Sequence, residues 1–400
     1  MTRRNISVAE AAAAVRAAAP EVRAHKVALA KAQGRVLAET LVATRDQPPF
    51  AASAMDGYAV ARRGKGPLKV VGESVAGRRF DGVLKAGQAV RIFTGAPVPA
   101  EARAVIMQEN VLRYGDTITI SPDGLAARKT FIRPAGGDFR AGSALLAKGK
   151  RLDAWALSLA AAAGCGEVAV AKRPRIAVMS NGNELARPGE TPGPDQIFES
   201  ASFAVMALVE SWGGKAVFAG VPQDSEKAIL KAMRKVEADL IVTIGGASVG
   251  DHDLVKPALD RLGLVTDFVS VDVRPGRPAW FGRLENGIHV LGLPGNPASA
   301  MVCAELFLKA FIAAALGYAP APMIRAVLTA DTPADGPREA YLRAVLAYDE
   351  RGQARVTPFR EQDSSLVQVF AGASALIRVP PGAVALKAGA IVDVIVLNRL

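Results

Sequence analysis

Three short apolar runs, each breaking into a polar loop that carries glycine, constrain this chain more than any other feature. They occupy residues 175–180, 239–244 and 289–293, with helical stretches at 202–212 and 226–236 and a strand-like Ala216-Val217-Phe218 between the first two. Runs this short and this continuously apolar fit strands buried on both faces. Their alternation with helices predicts a mainly parallel, doubly wound α/β domain over residues 173–323. Ligands of such sheets bind beyond the carboxyl ends of the strands. The loops that follow the three runs are therefore the first candidates for a site.

The first loop reads Ser180-Asn181-Gly182-Asn183-Glu184-Leu185 and the second Gly245-Gly246-Ala247-Ser248-Val249-Gly250-Asp251-His252-Asp253. The third is Leu293-Pro294-Gly295-Asn296-Pro297, where Asn296 suits an N-cap, Pro297 a first helical position, and Gly317 the far end of the helix. Glycines let backbone N–H groups approach a phosphate, and the Ser248 hydroxyl adds a donor. Asp251 and Asp253 are hard oxygen ligands suited to Mg²⁺. A Gly-Gly pair after a strand can also be only a tight turn; three polar loops on strand ends of one sheet favour a phosphorylated ligand. In Val273-Arg274-Pro275-Gly276-Arg277-Pro278, two guanidinium groups flank a Pro-Gly turn, which suits an oxyanion clamp as well as an ordinary surface loop.

The rest of the 400 residues is organised around this domain, since one hydrophobic core rarely serves so long a chain. Ser7 and Glu10 have the capping-box spacing, so a helix starts there and stops before Pro20. A second helical stretch over 29–41, interrupted by Gly34, and a third over 152–163 predict a helical linker built from 1–44 and 141–172. Between them, 45–140 alternates short Val/Ile/Phe runs with Gly and Pro, and Tyr114-Gly115-Asp116-Thr117 reads as a hairpin turn. This is an inserted β-rich domain. Strand-like runs from 324 to 400, with a turn at Asp349-Glu350-Arg351-Gly352 and a closing strand at 390–396, predict a small β-barrel or sandwich.

Several function classes recede on composition. The apolar stretch 297–316 has the length of a membrane span but carries Glu305 and Lys309, so a buried helix is expected and no membrane partner. Met1-Thr2-Arg3-Arg4 leads into an Ala-rich helix containing Glu10, unlike an export signal. Cys165 and Cys303 are the only cysteines, which predicts buried thiols in a cytoplasmic protein. His25, His252 and His289 lack paired metal-ligand spacing, so no zinc site is expected. The formal charge of +11 favours anionic partners. Its basic residues are dispersed, however, which points to small anions and not to nucleic acid.

Ser53-Ala54-Met55-Asp56-Gly57-Tyr58-Ala59-Val60 is similar to a signature of the bacterial molybdopterin molybdenumtransferases, the MoeA family, whose eukaryotic relative is the E domain of gephyrin. Thr94-Gly95-Ala96-Pro97-Val98-Pro99, Val105-Ile106-Met107-Gln108-Glu109 and the α/β loops resemble further family motifs in the same order, from the first helix to the last strand. The resemblance implies an elongated homodimer, four domains per chain, with the active cleft between subunits. It implies a Mg²⁺-dependent enzyme that takes adenylylated molybdopterin and molybdate, inserts molybdenum into the dithiolene and releases AMP. An adenylyltransferase upstream and recipient molybdoenzymes downstream are the implied protein partners. By resemblance, Asp56, Thr94 and Asp138 come from the β segments of one subunit, and Glu184, Asp224, Asp251 and Asp253 from the α/β domain of the other. Asp56, Glu184, Arg274 and Arg277 are then catalytic. Glu184, Asp251, Asp253, Asp224 and Asp138 hold metal, and Thr94, Ser180, Gly182, Gly245, Gly246, Ser248, Pro294, Asn296, Arg343 and Ser364 bind pterin, phosphate or molybdate.

The chain departs from the family pattern at four places. Asn183 replaces a usual Asp, Arg274 and Arg277 stand where Lys is commoner, Gln362-Asp363-Ser364-Ser365 replaces a Gly-Ser-His version, and Ile244 takes a position often held by Ser. These changes leave room for a divergent paralogue acting as a pterin-binding scaffold; the other alternative, a molybdopterin adenylyltransferase, uses the same kind of α/β domain but is opposed by the flanking β segments.

Overall fold

The computed structural model describes residues 2–221, 225–234, 236–246, 254–333 and 336–397. Helix α1 (Val8–Ala17) starts with the predicted capping box: Ser7 Oγ accepts from Glu10 N, and the Glu10 carboxylate accepts from Ser7 N at 2.9 Å. Its buried Val8, Ala11 and Val15 pack into the same core as Phe307 and Phe311 of the α/β domain. The predicted helix over 29–41 does not form. Leu29–Lys31 makes a single 3₁₀ turn, Gly34 is left-handed at φ 72°, and Leu41–Val42 is a strand paired with Ala144–Leu146. Leu37 N and Ala38 N donate to Lys150 O and Ala169 O, so a ladder to distant chain wins over local helix propensity. Helix α2 (Ala154–Ala162), capped by Asp153, completes this linker region. The inserted segment forms a six-stranded sheet whose Val111–Tyr114 and Thr117–Ile120 strands make the predicted hairpin.

The α/β domain is a six-stranded sheet. It contains β1 (Arg175–Ser180), β2 (Lys215–Gly220), β3 (Leu240–Ile244), β4 (Val265–Phe268), β5 (Trp280–Arg283) and β6 (His289–Leu293), in the order β2-β1-β3-β6-β5-β4. The first four in that order are parallel, and β5 is antiparallel to both β6 and β4. Side chains alternate between two cores, as the pleat requires. Ile176, Val178, Leu240, Val242 and Leu291 face α3 (Ala201–Ser211) and the C-terminal helix of the domain. Ala177, Met179, Ile241 and Val290 face α4 (Glu226–Met233) and α5 (Val255–Asp260). Burial on both sides explains why the strands read as unbroken apolar runs.

That C-terminal helix runs from α6 (Pro297–Cys303) through a π turn (Ala304–Leu308) into α7 (Lys309–Leu316), and Gly317 caps it in the left-handed conformation. Among the described residues it is the one stretch long and apolar enough to cross a bilayer, yet 78% of it is buried in the core, as expected of an internal helix. Glu305 inside it pairs with Lys309 one turn on. Beyond it, β7 (Ile324–Leu328), β8 (Glu339–Tyr348), β9 (Ala354–Pro358), β10 (Ala375–Val379) and β11 (Ile391–Val396) close into a ring, because β8 pairs with both β9 and β10. The closed sheet is the predicted small barrel. The two-residue strand Val273–Arg274 adds to its edge, parallel to β8 at Glu339 and Ala340.

Candidate active-site cleft

Register decides where the three polar loops emerge. Ser180 is level with Ile244, and Ile244 with Leu293, so β1, β3 and β6 end side by side and release their loops into one place. A cleft of about 1040 Å³ opens there, lined by residues of all three loops, of the Arg274–Pro278 turn and of the barrel segment 362–365. Its floor is backbone. Gly245 has φ 84°, and a Cβ on it would lie 2.5 Å from the Asn181 carbonyl, so only glycine passes. The nearest atom to a Cβ placed on Gly295 is the Gly245 Cα at 3.5 Å. Two glycine loops in contact leave the strand ends uncovered by side chains, which suits close approach of a phosphorylated ligand. Gly182, Gly246 and Pro294 line the same cleft, and the Glu184 carboxylate folds over Gly182.

Beneath this floor lies a buried acid that sequence reasoning missed. Glu199, 3% exposed, accepts from Ser180 Oγ at 2.8 Å, from Ser202 N at 2.7 Å and from Ser202 Oγ at 2.7 Å. It thereby ties the end of β1 to the start of α3. The Ser180 hydroxyl, expected to donate to ligand, donates instead to Glu199, and the residue is 1% exposed.

The clamp arginines are anchored from two directions. Arg274 sits on the strand added to the barrel, and the turn after it carries a cis Arg274–Pro275 bond and Gly276 at φ 125°. A Cβ on Gly276 would strike the Cys303 sulfur, and the Cys303 thiol donates to the Gly276 carbonyl at 3.7 Å. Complete burial pushes that thiol above its ordinary pKa, so it is packing under the turn; Cys165, by contrast, is only half-buried. Arg277 reaches back to Asn5 Oδ1 at 3.4 Å, and Asn5 is bonded to Ser270 through its N–H and its side chain. Arg338, also unforeseen, lines the cleft.

Asn296 occupies the N-cap position of α6, but its side chain does not cap: Nδ2 donates to Ser364 Oγ at 2.8 Å. Ala298 N donates to the Ser364 carbonyl at 3.1 Å, so the barrel loop is seated on the helix start. Arg343 does not line the cleft. It is 1% exposed behind that loop, with Nη2 donating to the Asp363 carbonyl at 2.9 Å. Gln362 completes the support, accepting from Arg343 N and donating to the carbonyls of Arg343 and Phe359. Burial, and secondarily Arg274, lowers the Arg343 pKa against the opposing pull of Asp363. Arg343 is therefore a positioning residue. Asp363 lines the cleft with its carboxyl held below the usual range by hydrogen bonds from the Ser365 hydroxyl and N–H.

Asp56, Thr94 and Asp138 lie elsewhere, in the β-rich insert. Thr94 N and Oγ1 both donate to Asp56 Oδ1, at 2.7 and 2.8 Å, and these bonds hold the Asp56 carboxyl below its ordinary pKa. Asp138 lines a second cavity of about 740 Å³ with Gly95, Arg45 and Arg133. Asp224, Ser248, Asp251 and Asp253 fall outside the described residues. Among the described residues no three His, Cys, Asp or Glu side chains converge as a metal site.

Comparison with known proteins covers the chain almost end to end. Residues 6–164 match the MoeA N-terminal region (domain I and II), 177–314 a probable molybdopterin binding domain, and 325–397 the MoeA C-terminal region (domain IV). The molybdopterin molybdenumtransferase of Haemophilus influenzae is 34% identical over 87% of this chain and 88% of its own length. Molybdopterin molybdenumtransferase 2 of Mycobacterium tuberculosis is 34% identical over 91% and 92%. A crystal structure of the molybdopterin biosynthesis MoeA protein from Pyrococcus horikosii superposes with a TM-score of 0.85 at 28% identity, covering 99% of this chain and 100% of that one. With the strand-end loops, the clamp turn and the closed barrel all in place, this chain belongs to the MoeA family of molybdopterin molybdenumtransferases.

Proposed function

We propose that this protein inserts molybdenum from molybdate into adenylylated molybdopterin, with release of AMP, as a Mg²⁺-dependent cytoplasmic enzyme. One observation carries the reading: in a chain of this family, three strand-end loops, two clamp arginines and the barrel loop at Ser364 converge on one cleft. Cleaving a phosphoanhydride requires negative charge to be stabilised on phosphate oxygens. Arg274, Arg277 and Arg338 bring fixed cationic donors to the cleft, and Ser364 adds a hydroxyl. Molybdate, a tetrahedral dianion and a substrate here, calls for the same donors. The dithiolene sulfurs belong to the pterin, so neither cysteine is needed for chemistry.

The donor chemistry fits Mg²⁺, which is held through one or two carboxylates together with water and phosphate oxygens and needs no all-protein cage. Glu184 lines the cleft and would supply one carboxylate, with Asp251 and Asp253 completing the set; Asp224 and Asp138 are the looser matches to the family's pattern. The ion would offset charge on the phosphates being separated. Asp56 and Thr94 do not line the cleft of their own chain, and the proposal has a second copy present them, with Asp138, to it. This makes a homodimer the working unit, supplied by an adenylyltransferase and feeding recipient molybdoenzymes.

Asn183 was the strongest sequence argument for a scaffold that has lost chemistry. Its carbonyl accepts from Gln196 Nε2 at 3.1 Å, and the residue is not among those lining the cleft. Losing a carboxylate there spares the lining, which favours the enzyme. The test is to mix purified protein with adenylylated molybdopterin, Mg²⁺ and molybdate, then follow AMP release and reconstitution of an apo-molybdoenzyme. Molybdate-dependent AMP with active holoenzyme supports the proposal; pterin binding without either product overturns it in favour of the scaffold. Full activity in both Glu184→Gln and Asp56→Asn would sink the assigned roles.

A further inference from the structure

A third, smaller cavity of about 190 Å³ lies far from the strand ends, on the seam between the linker region and the α/β domain. Three arginines line it: Arg35 and Arg151 from the linker, and Arg173 from the crossing just before β1. Each spends part of its guanidinium on backbone carbonyls, and the Arg151 bond crosses the seam. Arg35 Nη2 donates to Ala171 O at 2.9 Å, Arg151 Nη2 to Ser211 O at 2.7 Å, and Arg173 Nε to Gly213 O at 3.2 Å. The lone carboxylate in the cavity wall is Glu210, and it is already committed: one oxygen pairs with Arg173 and the other accepts from Ala216 N at 2.8 Å. Among the described residues neither Arg35 nor Arg151 has an ion-pair partner, and neither has a hydrogen bond from Nη1.

Arg35 and Arg173 are half-buried and Arg151 is exposed, and like charges gathered this way favour a counter-charge. The strain registers at Arg35, whose pKa is lowered by burial and then by Arg173. The wall offers one carboxylate to three guanidinium groups. A volume of about 190 Å³ is large enough for a tetrahedral oxyanion and a few waters, at about 30 Å³ per water.

We propose that this seam is a second anion site, taking a small tetrahedral oxyanion (phosphate, sulfate or molybdate) between Arg35, Arg151 and Arg173 and so fastening the linker region to the α/β domain. It does not depend on the reaction proposed above. To isolate it, inorganic phosphate is titrated calorimetrically into Arg274→Gln/Arg277→Gln protein, at constant ionic strength balanced with chloride. One site per chain remains, and adding Arg35→Gln/Arg151→Gln weakens it roughly tenfold or more, the loss of two charge-assisted contacts. Repeating the titration with sulfate and molybdate identifies the preferred oxyanion. Heat unchanged by the seam substitutions, or saturation that chloride matches, overturns the proposal. If the seam variants do not fold, crystals of the unaltered protein soaked in molybdate decide it. Anomalous molybdenum density within hydrogen-bond reach of Arg35 and Arg151 supports the site, and density confined to the main cleft overturns it.

Discussion

The strand-end cleft and the Asp56–Thr94 corner of the β-rich insert organise their polar groups in opposite ways. In the cleft, shape is held by groups set into or behind the wall: buried Glu199 at the end of β1, Gln362 in the barrel loop, and Arg343 behind that loop. Those on the open face of the cleft, such as Arg274 and Glu184, are exposed. The corner bonds its polar pair directly, with a single buried serine, Ser53, behind it, whose hydroxyl donates to the Met55 carbonyl and whose own carbonyl accepts from Gly95 N. Exposed Asp56 holds Thr94 directly, through one carboxylate oxygen that takes two hydrogen bonds. The difference teaches that the cleft is a receptacle built by its own chain, while the corner presents a fixed carboxylate outward.

Substitutions should separate these two designs. The largest effect is expected at the clamp. Arg274→Gln should lower kcat/KM for AMP release by roughly 10²- to 10³-fold, as loss of a charge-stabilising donor does, with urea unfolding unchanged. A parallel fall in stability would make Arg274 part of the frame and erase the distinction. Next comes the hidden layer: Glu199→Ala strands the Ser202 N–H and two hydroxyls and should cost the α/β domain about 2–4 kcal/mol in urea unfolding. A loss near zero would show that the cleft does not lean on it.

Effects at the corner should be smaller and local. Since hydrogen bonds from Thr94 depress the Asp56 pKa, the contact stabilises the folded state fully above the unfolded value of 3.8 and is lost only as pH falls through the lower folded value. A carboxyl titration followed by NMR should place the Asp56 midpoint below 3.8; a midpoint at or above it would contradict the geometry. Thr94→Val, the mildest change, should raise that midpoint only partway. The backbone N–H remains and contributes more than the hydroxyl. A full return to the ordinary value would show that the side chain, not the N–H, sets the charge.

Much of this was readable from sequence where the signal is local. The three strands announced themselves by unbroken apolar runs, and Gly245, Gly295 and Asn296 by their position after a strand end. The supports were not readable, because no spacing rule joins Ser180 to a carboxylate 19 residues on, or Arg277 to Asn5, 272 residues away. Arg343 looked like any ligand-binding arginine; only its burial moves it behind the loop. The 29–41 stretch was misread because its hydrogen bonds go to residues more than a hundred positions away, where local propensity carries no information. Asp56 and Thr94 came from family resemblance alone, since a turn aspartate before glycine is otherwise unremarked.

The pairing of Val273–Arg274 with β8 has a consequence in time. The chain emerges from the ribosome N-terminus first, and domains fold as they become available. The sheet and its three loops are complete by Leu316, but Arg274 has no strand to lie against until Glu339 and Ala340 arrive, and the barrel closes only with Ile391–Val396. A partly synthesised or C-terminally clipped chain therefore carries an open receptacle without its clamp. Under the proposed function, binding competence is therefore acquired last, when the barrel closes.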